Sequence, residues 1–286
     1  LSDKKGLIGA CVVLSDSGQF FDSVNFNGRI NMQQLTVGLF GFGKTGRLVA
    51  TELLNDPELS LEWVVRGSHR DEHKFASRRL GFEDDRGAIF AVGDLDKDFF
   101  RRNRVDVIID FSQSGGVRAY MAAADEGIRI VSAISKYEDE DLKVLTKLGK
   151  KTAVLYSPNI TLGINFLLIA SQVLQSIAPH ADIEIVEEHF RDKKGVSGTA
   201  KKLASVLGLD EARRVNSIRV GGIVGRHEII FGLPNQTIRL VHESINRAAF
   251  GQGAIFAAKW LQDKAPGVYS MEHVISEMFR KNLPVY

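Results

Sequence analysis

The chain has 286 residues, room for one large or two modest domains. Apolar residues make up 44% and charged residues 25%, a mixture that supports a packed core and excludes a disordered or low-complexity chain. With 37 basic against 35 acidic side chains the net charge is +2, so nothing electrostatic favours nucleic acid or an anionic membrane surface as a partner.

No apolar run reaches the roughly 18–20 residues of a membrane span. The lone cysteine, Cys11, cannot pair within the chain, which points to a reducing, cytoplasmic setting. Residues 1–31 read as an extension whose role the sequence leaves open. Lysines before a short, glycine-broken apolar patch give them a faint signal-peptide look, with no clear cleavage site after it. Met32 stands directly before the first strand-like run.

From there strand and helix patterns alternate. Residues 35–40 are apolar and β-leaning, 45–55 carry helical spacing that Asp56-Pro57 stops, and 60–65 read as a second strand. Residues 105–111 suit a strand buried on both faces, 116–126 a helix, 128–132 a strand and 139–147 a helix. Repeated β-then-α steps imply right-handed crossovers and an α/β fold, a Rossmann-type doubly wound parallel sheet. Beyond Leu155 the pattern changes. A long apolar helix over 164–177 leads to a strand at 183–190, a charged loop and a helix from Ser197; β-rich stretches follow at 217–231 and 237–245. Strands in succession predict a second, α+β domain with an antiparallel or mixed sheet. Helices over 247–260 and 271–279 close the pattern. The expected division is 32–161 plus 248–286 for a dinucleotide-binding domain and 162–247 for substrate binding and oligomerisation.

The run Gly38-Leu39-Phe40-Gly41-Phe42-Gly43-Lys44-Thr45-Gly46 fits two patterns. From Gly41 it is G-x-G-x-x-G, whose glycines let a backbone approach a pyrophosphate at a helix start. From Gly38 it is G-x-x-x-x-G-K-T, a phosphate-cradling P-loop, with Asp110 ending a strand that could serve magnesium. A tight turn without a ligand is the bland alternative. The P-loop reading would place Leu39 and Phe40 in a hydrophilic loop, whereas the dinucleotide reading keeps them in a buried strand, where their apolar surface belongs. Gly41, Phe42, Gly43, Lys44, Thr45 and Gly46 are therefore the candidate cofactor turn, with Lys44 and Arg47 near phosphate oxygens. After the second strand comes Arg66-Gly67-Ser68-His69-Arg70, with no carboxylate until Asp71. Arg66, Ser68 and Arg70 suit a 2′-phosphate, because arginine donates bidentately to oxyanions. This favours NADPH over NADH, against the bland reading of a solvated charged loop.

In the second half, Glu187-Glu188-His189-Phe190-Arg191-Asp192-Lys193-Lys194-Gly195-Val196-Ser197-Gly198-Thr199-Ala200 leaves a strand, crosses a charged loop and enters a helix. Ser197 or Thr199 can cap that helix, whose start would receive a carboxylate. His189 and Lys193 can together pass a proton to a carbanion or enamine formed in a reduction. A capped helix beside a charged loop with no ligand is the plainer account. Lys201 and Lys202 read as a solvated helix face, or as cations near a bound dicarboxylate.

Taken with Ile109-Asp110-Phe111-Ser112, with the run from Ser157-Pro158-Asn159-Ile160 to Asn165, and with Gly222–Glu228 and His242–Arg247, these motifs resemble the dihydrodipicolinate reductase family over nearly all of 34–278. The resemblance implies NAD(P)H-dependent hydride transfer to a cyclic unsaturated imine dicarboxylate in diaminopimelate and lysine biosynthesis, by a homotetramer. It matches His189 to a proton donor/acceptor and Lys193 to a proton-donating lysine. Gly198 and Thr199 match carboxylate contacts. Phe111, Ala133, Ile134, Ser135, Ser157, Asn159 and Ile160 fall in cofactor-contacting segments, and Phe190, Lys136, Ser197 and Arg247 near the substrate.

The chain departs from that family pattern in places. Phe190 stands where the family has a second histidine, one residue is missing between Lys193 and Ser197, and a Gly-Thr-Thr-Gly loop reads Ala133-Ile134-Ser135-Lys136. Two alternatives follow: a paralogue reducing a related cyclic imine acid, and a catalytically silent NADPH-binding regulator.

Overall fold

The computed structural model describes residues 34–68 and 74–284; the expected extension and Arg70 lie outside them. β1 (Leu35–Phe40) turns through glycines into α1 (Lys44–Asn55), and β2 (Leu59–Arg66) returns parallel to β1. A short α2 (Ala76–Arg79), β3 (Ala88–Ala91) and a helical turn α3 (Phe99–Arg102) extend that edge. The chain then crosses to the other side of β1 for β4 (Val107–Asp110), β5 (Arg129–Ser132), α4 (Asp139–Leu148) and β6 (Ala153–Tyr156). Next come α5 (Leu162–Ile177), β7 (Asp182–His189), α6 (Gly198–Val206), α7 (Glu211–Arg214) and β8 (Val215–Arg219). They are followed by β9 (Gly225–Leu233), β10 (Gln236–Ser244), α8 (Ala248–Leu261), β11 (Gly267–Tyr269) and α9 (Met271–Asn282).

These strands make a seven-stranded sheet, ordered β11-β6-β5-β4-β1-β2-β3 with every pairing parallel, and a four-stranded sheet ordered β10-β9-β7-β8. The second is mixed: β9 runs antiparallel to both β7 and β10, and β8 lies parallel to β7 after the crossover through α6. The expected α/β and α+β architecture is what the chain adopts.

The period of two in the strands divides the core. Val37, Leu39, Val107, Ile109, Val131 and Leu155 bury toward α1 and α8, while Phe40, Ile108, Ile130 and Val154 bury on the opposite face with Trp63 and Tyr120. A third core joins Ile164, Leu168 and Leu203 of α5 and α6 to Ile183, Ile185, Ile229 and Phe231 of the second sheet. Each fully buried side chain of this kind contributes about 1.5–3 kcal/mol.

One expected helix is altered. Residues 116–126, read as helical, fall largely within a 3₁₀ segment, Ser114–Ala124, broken at Tyr120 (φ −114°, ψ 21°). The Tyr120 hydroxyl donates to the buried Asp110 carboxylate at 2.8 Å, a tertiary bond that coincides with the break. The stretch 217–231 also divides, into β8 and β9, and β3, β11 and the short helices were not anticipated.

Candidate active site

The strand order reverses at β1, between β2 and β4, which opens a crevice beyond the carboxyl ends of these strands. Gly41 stands there at φ +92°, its N–H donating to the Val65 carbonyl at 2.8 Å; a Cβ would lie 2.7 Å from the Phe111 backbone. Gly46 packs against it so closely that a Cβ would lie 1.9 Å from the Gly41 oxygen. Gly43 differs: it precedes α1, and a Cβ there would meet nothing within 4 Å. The α1 start is thus uncapped by any side chain and faces open space. Arg47 spreads over the Phe42 ring at 5.5 Å, and its buried Nε has no hydrogen-bond partner. An open helix start beside an orphaned guanidinium nitrogen fits the phosphates of a dinucleotide. Phe42 itself turns its ring into the core and offers only backbone. Leu39 and Phe40 are paired within β1, so the P-loop reading fails on the strand's length. Arg66 ends β2, Ser68 is exposed just beyond it, and Arg70 falls outside the described residues.

A cleft of about 390 Å³ opens at these strand ends. Thr45, Phe111, Ala133-Ile134-Ser135-Lys136 after β5, and Ile160 line it. Beneath it, Asp110 is fully buried, accepting from the Ser112 N–H at 2.8 Å and the Ser112 hydroxyl at 2.6 Å. Burial pushes its carboxyl up to about 6, against those bonds.

A second cleft, of about 510 Å³, shares Ser135, Pro158 and Phe250 with the first. It brings together His189, Lys193, Ser197, Gly198 and Thr199 with Ser157 and Asn159. Asn159 Nδ2 donates to Thr199 Oγ1 at 3.0 Å, tying the loop after β6 to the start of α6. Three expected residues are absent from this cleft. Alternation along β7 buries Ile183, Ile185, Glu187 and His189 on one face, so Phe190, the next residue, turns away and is exposed. Arg247 is exposed before α8 and lines neither cleft. Lys136, expected near substrate, lines the first cleft instead.

The same alternation supplies residues that the sequence reading passed over. Glu187, fully buried, is bonded through Oε2 to His189 Nδ1, and its Oε1 accepts from Ser217 Oγ at 2.6 Å and Arg219 Nη2 at 2.5 Å. Burial would raise the Glu187 carboxyl, but the Arg219 guanidinium, the Ser217 hydroxyl and His189 outweigh it and hold the group down to about 2. His189 is pushed below the ordinary histidine range by burial, which exceeds the opposing pull of Glu187. The imidazole is therefore neutral near pH 7, keeping its Nδ1 proton and donating it in a hydrogen bond to the carboxylate. His227 stacks edge-on to it, ring centroids 5.2 Å apart, and burial pushes His227 down to about 3. Ser197 Oγ accepts from the Ala200 N–H at 3.1 Å, capping α6, and lies 3.0 Å from His227 Nε2, to which its own proton is free to go. Glu187, His189 and His227 place potential metal-ligand atoms within 4.8 Å of one another, but Arg219 and the Glu187–His189 bond already engage the carboxylate. The Glu-x-His spacing on a strand was the available signal.

A doubly wound parallel sheet with a glycine turn at its switch point, beside a polar cleft holding a histidine and a lysine, is the arrangement of a dinucleotide-dependent enzyme. The profile described as "Dihydrodipicolinate reductase, N-terminus" matches residues 35–160, and "Dihydrodipicolinate reductase, C-terminus" matches 160–275. The 4-hydroxy-tetrahydrodipicolinate reductase of Caldanaerobacter subterraneus is 33% identical over 198 residues, 62% of this chain and 79% of that protein. The enzyme of the same name from Buchnera aphidicola is 26% identical over 264 residues, 82% and 95% of the two chains. A dipicolinate-bound dihydrodipicolinate reductase from Paenisporosarcina shares the fold with a TM-score of 0.70 at 23% identity, covering 85% of this chain and all of that one. The chain belongs to the dihydrodipicolinate reductase family.

Proposed function

We propose that this chain reduces a cyclic unsaturated imine dicarboxylate in diaminopimelate and lysine biosynthesis, with NADPH preferred over NADH. The observation that carries the reading is the convergence of His189, Lys193, Gly198 and Thr199 on one cleft that adjoins the crevice at the strand ends. When bound, the dinucleotide would supply hydride from its nicotinamide. Gly43, Lys44 and Arg47 would hold its pyrophosphate, and Arg66 and Ser68 its 2′-phosphate. The backbone N–H groups of Gly198 and Thr199, at the positive end of α6, receive one substrate carboxylate. Lys193 delivers the proton that the reduced ring takes up. His189, held neutral by burial and oriented through Nδ1 by Glu187, accepts a hydrogen bond at Nε2 that positions the reacting group, and solvent reprotonates the lysine after the transfer.

The division at 32–161 plus 248–286 and 162–247 is supported by the gathering of β7–β10 in one sheet and of β1–β6 and β11 in the other. A homotetramer is supported by the apolar side chains that the second sheet and its flank expose, Ile218, Val241 and Ile245 among them. A reducing, cytoplasmic setting rests on Cys11 alone. No described helix is long and apolar enough to cross a membrane.

Steady-state loss of NADPH absorbance with freshly generated dihydrodipicolinate tests the assignment. Turnover that requires the imine diacid, and is faster with NADPH than with NADH, is expected. Tight NADPH binding with no turnover would replace it with the silent-regulator reading.

A further inference from the structure

Lys202 stands on α6 four residues after Gly198 and three after Thr199, hence on the same helix face. Helical side chains lean toward the N-terminus, so the Lys202 stem reaches back over the start of α6. It lines the cleft that holds His189 and Lys193, where it meets Glu272 from the first turn of α9 at 3.2 Å. Glu272 lines the cleft too, and its carboxyl is held below the ordinary range: burial would raise it, but Ser270 and Lys202 outweigh that. The Lys202 side chain remains 55% exposed, so its amine is open to a ligand while paired.

The adjacent N–H groups of Gly198 and Thr199 at the start of α6 suit one carboxylate, and a diacid brings two. Phe190 and Arg247 are elsewhere, and Lys193 is engaged in proton transfer. An anion entering a cleft walled by Glu272 needs a cation to meet it, or its desolvation goes uncompensated. We propose that Lys202 is a specificity-determining residue that takes the second carboxylate of the substrate, exchanging Glu272, its resting counter-ion, for the diacid. This rests on the functional reading above. It replaces the plain solvated-face account of Lys202, whereas Lys201 pairs outward with Glu211 at 3.4 Å.

The test is calorimetric titration of the NADPH-loaded protein with pyridine-2,6-dicarboxylate and, separately, pyridine-2-carboxylate. The parent protein should prefer the diacid by about tenfold or more. Lys202→Gln should bring that preference to within about twofold of unity while monoacid affinity and NADPH affinity stay put, and Lys202→Arg should restore it. Glu272→Gln should tighten the diacid by about threefold, because a like charge is removed from the cleft. A Lys202→Gln protein that keeps the full preference overturns the proposal and leaves the functional reading intact. Loss of preference in Glu272→Gln equal to that in Lys202→Gln also overturns it, since the pair would then serve only to hold α6 to α9. A parent protein that binds NADPH but neither acid overturns the functional reading and this proposal with it.

Discussion

Arg219, the last residue of β8, donates through Nε to the carbonyl of Lys193 at 3.0 Å and through Nη2 to that of Gly195 at 2.6 Å. The same Nη2 reaches Glu187. One guanidinium thus fixes the lysine's loop and neutralises the carboxylate behind His189. Arg219→Met should leave Glu187 buried without its main cation, at a cost of about 3–5 kcal/mol in thermal or denaturant unfolding. Arg219→Lys keeps the charge but not the fork, so it should recover part of the stability and little of the turnover.

His189→Gln and Lys193→Met should each lower kcat by about 10²–10⁴-fold, the usual share of a positioned acid or base. NADPH affinity, read by fluorescence titration, should stay within about twofold, since neither residue lines the cleft beside the glycine turn. Turnover unchanged in both variants would remove them from the chemistry.

The glycines at the turn should separate folding from cofactor binding. Gly46→Ala drives a Cβ to 1.9 Å from the Gly41 oxygen and should lower the melting temperature markedly. Gly43→Ala meets no protein atom within 4 Å, so the melting temperature should hold while NADPH binding weakens by about tenfold or more. Equal effects of the two substitutions on both readouts would mean that Gly43 does not face the pyrophosphate.

Acid should unfold the protein in two overlapping stages. His189 and His227 titrate below the ordinary 6.5 in the fold, His227 at about 3, so the unfolded chain binds more protons than the native one as pH falls beneath 6.5. Glu187, at about 2 against 4.5, adds a further loss between those values. Asp110 acts in the opposite sense: raised from 3.8 to about 6, it contributes stability below pH 3.8 that fades as pH rises through 6. Unfolding free energy measured against pH should therefore flatten between pH 6.5 and 4 in His227→Gln and steepen there in Asp110→Asn.

Much of this was legible from residues alone. Short-range periodicity placed β1, α1, β2 and β4, because strands buried on both faces are continuous apolar runs and Gly41 and Gly43 punctuate them. Ser197-Gly198-Thr199 announced a capped helix start, and Ser197 does cap α6. What stayed hidden depended on tertiary partners. β3 and β11 are four and three residues long, too short for a pattern, and exist only as edges added to β2 and β6. Glu187 received no role of its own in the sequence, because burial of every second residue of β7 sets it apart from Glu188 only once the strand is packed. Arg219 lies 32 positions from Glu187, a separation no local motif spans. Phe190 beside His189 suggested a shared site, yet adjacent residues leaving a strand turn to opposite faces.

The route of the chain through its seven-stranded sheet has a bearing on biogenesis. β11 completes that sheet against β6, although the whole second sheet is synthesised between them. During translation the flank of β6 therefore stays open until the ribosome has passed residue 269, and a nascent chain arrested after β10 would carry an unsatisfied hydrogen-bonding edge available to other polypeptides. Supplying residues 248–286 in trans to such a fragment is a natural complementation assay.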